Sequence, residues 1–186
     1  MDAPTRLLHL LALATYFGTT LDLALVFLPA VGAIDDPALK RRVLARGLKP
    51  YNVLSVGALG VLVISGASAL TDMKAMLGPA FGRLLWPLGG KLALAFILIQ
   101  VGTYLSFGLA HRIVRAELGQ LPVEPEKLAG MIRRMRGTAW LALALTVWTA
   151  WVGLGLGGGV RASSMANRAL AWSQTSARLA AAAIVE

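Results

Sequence analysis

Apolar residues fall into four long blocks: about Leu7 to Val31, Tyr51 to Leu70, Leu84 to Leu109 and Thr138 to Leu156. At about 1.5 Å per residue, each block is long enough to cross a hydrocarbon core of roughly 30 Å. A soluble helix would confine its apolar residues to one stripe, whereas these blocks are apolar on all sides. Backbone groups facing lipid must be paired internally, so each block is predicted to be a spanning helix. The first block is longer than a signal-peptide core and carries Asp22, so it reads as a retained helix. The expected fold is an all-α integral membrane four-helix bundle.

The segments between the blocks are polar and carry helix signals of their own. In DDPALKRRVLARGLKP, Asp36 before Pro37 predicts an N-cap and first turn, and Gly47 offers a stop. Leu39, Val43 and Leu44 would share an apolar face, which predicts a short helix lying on the membrane surface between spans one and two. MIRRMRG leads into the fourth block, and GLGGGV follows it as a break. The expected division is a four-span transmembrane domain, 1–160, and a C-terminal amphipathic tail helix, 161–186.

Composition supports this reading. Of 186 residues, 57% are hydrophobic and 15% charged, against roughly half and a quarter in ordinary soluble domains. Zero cysteines exclude disulfides, thiolate metal sites and cysteine nucleophiles. A net charge of +9 is of the sign that nucleic acid attracts, but no basic-and-aromatic groove pattern accompanies it, and no nucleic-acid partner is expected. The cations sit between the apolar blocks instead. Lys40, Arg41, Arg42, Arg46, Lys49, Arg112, Arg115, Lys127, Arg133, Arg134 and Arg136 occupy the two connections on one side. Arg6, Lys74, Arg83, Arg161, Arg168 and Arg178 lie on the other. The positive-inside rule then places a multi-pass protein in the inner (plasma) membrane with both termini outside.

Ionisable residues within spans are the first candidates for chemistry, because each is costly without a partner. His9 near the start of helix one and Lys91 near the start of helix three fall at similar depth in the outer half, since these helices run the same way. Tyr16, seven residues after His9, shares nearly the same face. The plain alternatives are an interfacial histidine and a lysine that snorkels outward. Asp22 lies deeper. Asn52, Tyr51, Tyr104 and Ser106 fall near it in depth, as a proton relay or as polar ties between helices. His111 beside Arg112 reads as an interfacial cap. The small residues of helix two, Ser55, Gly57, Ala58, Gly60, Ser65, Gly66 and Ala67, with Gly102 and Ser106 on helix three, read as close-packing positions. Met73 and Met76 could join His9 around copper, since thioether and imidazole suit Cu(I), though a loop anchor is the simpler reading.

Helix one, with His9 followed by Tyr16, Phe17 and Gly18, resembles that of the HemJ-type membrane protoporphyrinogen oxidases and the related CopD-like copper-resistance membrane domains. KPYNVLSVGALG resembles the family's second helix, with its Tyr-Asn pair, and WPLGGKLAL its third, with its Lys-Leu pair. The resemblance covers roughly residues 6 to 110. It implies haem b bound by His9, with Lys91 as second ligand or proton-handling catalytic residue and Tyr16 beside it. Arg6 and Arg83 would meet the propionates. The chain departs from the family at Tyr16, where Trp is usual, and at Gly102, where a second His is usual. The function expected is a haem-b-binding redox membrane protein, an oxidoreductase that oxidises protoporphyrinogen IX and passes electrons to quinone. Two alternatives remain open: a copper-handling protein using His9 with Met73 and Met76, and a non-catalytic subunit packed against other membrane subunits or a second copy of itself.

Overall fold

A computed structural model describes residues 3–78, 81–82, 85–120 and 127–153, and every regular element among them is helical. The chain divides into two compact units, Met1–Trp148 and Thr149–Glu186. The tail helix expected over 161–186 lies outside the described residues. Helix α1 covers Ala3–Gly32 and α2 covers Pro37–Leu77. Helix α3 runs without a break over 85–117, and α4 over 127–153. Three helices are long and apolar enough to cross a membrane: Ala3–Gly32, Pro37–Leu77 and Leu88–Glu117. The apolar stretch expected as the fourth span is helical through 153. Large apolar side chains coat the outside, among them Leu10, Val53, Ile64, Phe96 and Trp86. That is a surface suited to lipid rather than water.

Helices α1 and α2 pack antiparallel in a fixed register. His9 meets Ser65, Tyr16 clusters with Ala58 and Leu59, and Phe27 lies over Gly47. Partner numbers fall on α2 as they rise on α1. All four helices supply one core: Leu23, Ala24 and Leu28 from α1, Leu44 and Leu48 from α2, Leu105 and Ile113 from α3, and Met135 and Ala139 from α4.

Two π turns interrupt the spans. Leu23–Phe27 is closed by the Leu28 N–H donating to the Leu23 carbonyl, and Tyr104–Ala110 by the His111 N–H donating to the Ser106 carbonyl. Pro29, which lacks an N–H, follows the first directly and helps explain it.

The surface helix expected between spans one and two does not exist as a separate element. Residues 37–77 form one helix of 41 residues, and neither Gly47 nor Pro50 ends it. Asp36 does cap its start, accepting from the Ala38 N–H at 2.9 Å. The apolar face of the basic segment has a protein partner: Leu44 and Leu48 are fully buried in one cluster with Leu109, Ile113 and Met135. On its polar side, Arg41 Nε donates to Glu117 Oε2 at 2.8 Å, joining α2 to α3 at the basic end.

Candidate functional site

His9 sits half-buried on the inner face of α1, within the electrostatic reach of Lys91 on α3. Its Nδ1 lies 2.7 Å from Ser65 Oγ on α2. Ser65 Oγ in turn donates to the Val61 carbonyl at 2.5 Å. A serine has one hydrogen to give. With that hydrogen committed to the helix backbone, Ser65 can only accept from His9. The geometry therefore assigns the proton to Nδ1 and leaves Nε2 with a free lone pair. Binding a metal or accepting a proton at Nε2 requires this tautomer, fixed by a hydrogen bond at the other ring nitrogen. Ser65 lies 15 residues beyond Pro50 on α2, about 22 Å along the helix from the basic end. His9 and Ser65 thus meet at the end of the bundle opposite the cationic stretches, with the Lys91 charge acting on His9 from α3.

Tyr16 is elsewhere. It is fully buried two turns deeper, about 10 Å from the level of His9, among Ala58, Leu59, Leu98 and Ala142. Its hydroxyl lies 3.0 Å from where a side chain at residue 102 would begin. Gly102, having no side chain, is the space that admits the tyrosine. Arg6 is exposed one turn before His9. Arg83 lies outside the described residues. Met73 is half-buried and Met76 is 84% exposed. Met73 stands eight residues past Ser65 on the same helix, about 12 Å away along the axis. The two methionines are therefore not gathered around His9.

The deeper polar residues separate into two groups. Asp22 and Tyr104 face outward, Tyr104 with 48% exposure, and the Tyr104 ring lies against Gly108 on its own helix. Tyr51, Thr20, Ser55 and Ser106 face inward and are buried. Ser55 and Ser106 are hydrogen-bonded at 3.2 Å, while Thr20 Oγ1 donates to the Tyr16 carbonyl at 2.7 Å. Asn52 is half-buried, with its Oδ1 enclosed. His111 is exposed on α3, which continues past it to Glu117.

Sequence reasoning took Ser65 for a packing residue and missed its bond to His9. The signal was present: Tyr51, Ser55, Ala58, Leu62 and Ser65 recur at helical spacing on one face, so the polar members of α2 share its inner side.

Among the described residues, no group of three or more His, Asp or Glu side chains could cage a metal ion. No family model, curated protein or solved structure matches the chain.

Proposed function

We propose that the chain is a four-span protein of the inner membrane, both termini outside, that binds haem b through His9 Nε2 and acts as a redox protein. The observation that carries this reading is the His9–Ser65–Val61 hydrogen-bond relay, from which the Nδ1 proton is assigned and Nε2 is left as a donor atom. Lys91, half-buried and close to His9, serves as second ligand or as the group that handles protons at the site. Arg6, exposed one turn outward, would meet a propionate in this reading. Haem supplies one-electron chemistry when bound. The resemblance of α1, α2 and α3 to the HemJ-type oxidases extends the proposal to oxidation of protoporphyrinogen IX with quinone as electron acceptor. Tyr16, sealed in the core, acts in this reading through packing rather than by touching substrate.

The test is an absorption spectrum of detergent-purified protein from cells supplied with haem precursor. A Soret band that disappears in His9→Ala and changes form in Lys91→Met is the expected result. A wild-type protein with no Soret band, or a band unchanged in His9→Ala, overturns the proposal.

A further inference from the structure

At the basic end, the last turn of α1 and the first turns of α2 and α4 leave a half-open cavity of about 270 Å³ between them. Gly32, Pro37, Leu128, Ala129 and Ile132 give it an apolar wall, and among the described residues lining it Lys40 alone is charged. Lys40 is half-buried. Arg133 and Arg136 stand one and two turns past Ala129 on the same side of α4, both exposed. Among the described residues, Lys40, Arg133 and Arg136 have no carboxylate partner, while Glu117 is engaged by Arg41 and Arg42. Asp35 and Asp36 stand on the turn before α2, and Asp36 is held by the Ala38 N–H. Residues 35–49 and 112–136 together hold eleven cations and five carboxylates, so the end as a whole attracts anions.

Depth and size narrow what the cavity takes. Gly32 lies 23 residues past His9 on α1, about 35 Å along the axis. That exceeds a hydrocarbon core of roughly 30 Å, so with His9 near one surface the cavity falls among the headgroups of the other. A pocket that encloses a whole small molecule runs to about 300–1,000 Å³. This one is smaller and open, so it fits part of a larger molecule whose remainder stays outside. A basic pocket between spanning helices suits an anionic lipid headgroup. We propose that the cavity binds one anionic phospholipid of the leaflet at the basic end. The phosphodiester sits against Lys40, within the field of Arg133 and Arg136, and the upper acyl chain lies along Leu128, Ala129 and Ile132. A lipid so placed ties α1 and α2 to α4, whereas the Arg41–Glu117 pair ties α2 to α3. A soluble phosphate would use Lys40 and leave the apolar wall uncovered. The site depends on the spanning arrangement proposed above but not on what His9 binds.

The experiment places the full-length protein in phosphatidylcholine nanodiscs that carry a small fraction of phosphatidylglycerol. Lipid retained after release into detergent is counted by native mass spectrometry. One retained phosphatidylglycerol per chain, in preference to phosphatidylcholine, is the expected result. Lys40→Gln should weaken retention about five-fold, the worth of one cation near an anionic headgroup. Ala129→Phe, at an exposed position, should abolish retention by filling the cavity. Lys49→Gln removes an equal charge about 13 Å farther along α2 and should leave retention unchanged. Equal retention of both lipids overturns the proposal. So does an equal loss in Lys40→Gln and Lys49→Gln, which would mark diffuse attraction, and so does full retention in Ala129→Phe. Displacement of the lipid by an equal concentration of glycerol phosphate also overturns it, because the apolar wall would then add nothing. Release of the chain by a carbonate wash without detergent would instead overturn the spanning arrangement, and the site with it.

Discussion

The ring of Phe27 on α1 occupies the space in which a side chain at Gly47 on α2 would begin. This contact locks the register of the two helices near the basic end, and it accounts for a glycine within a helix that does not stop there. Gly47→Val is expected to destabilise the protein by about 1–3 kcal/mol through overpacking. Gly47→Ala should cost less, because alanine's helix preference, about 1 kcal/mol over glycine, offsets part of the clash. Phe27→Leu combined with Gly47→Val should recover most of the loss. Thermal unfolding in one detergent measures all three, and an additive double variant would mean that the two positions are not in contact.

The tautomer assigned to His9 can be read directly. The chain has two histidines, and His111, exposed on α3, serves as the reference. Nitrogen-15 spectra of histidine-labelled protein without haem should show His9 protonated at Nδ1, with that preference weakened in Ser65→Ala. If His9 binds haem, Ser65→Ala should lower the affinity about 10–100-fold, the usual effect of losing the hydrogen bond behind a ligating imidazole. A haem titration measures it. Dominant Nε2 protonation in the wild type would sink the assignment.

Glu117 receives Arg41 at 2.8 Å, and Arg42 approaches it at 3.8 Å. The Arg41 side chain is 40% exposed, so solvent and salt screen the pair. Glu117→Gln should cost no more than about 1 kcal/mol, and less in high salt. A double-mutant cycle with Arg41→Gln, read by thermal melting at two ionic strengths, is the measurement. A large, salt-insensitive coupling would show that the basic end depends on this pair more than its exposure implies.

Orientation has a clean test because the chain lacks cysteine. Met76→Cys, at an exposed position near the end of α2, should react with a membrane-impermeant maleimide in intact cells. Arg112→Cys, exposed at the basic end, should react only after permeabilisation. The reverse pattern would place the cationic connections outside.

The sequence by itself determined the apolar helices, the cationic stretches that separate the apolar blocks, and the Asp36 cap. These follow from hydropathy, local capping chemistry and rise per residue, which require no knowledge of neighbours. It did not determine which side of each helix turns inward. In lipid, core-facing and lipid-facing residues are drawn from the same apolar set, so periodicity that marks burial in a soluble helix carries little information. Tertiary packing decided that Asp22 and Tyr104 face out while Tyr51 and Ser106 face in. It also decided that Tyr16 fills the gap left by Gly102 instead of joining His9. Leu44 and Leu48 gave the same helical pattern that a surface helix would give. Only the partners waiting on α3 and α4 made that segment part of a helix of 41 residues.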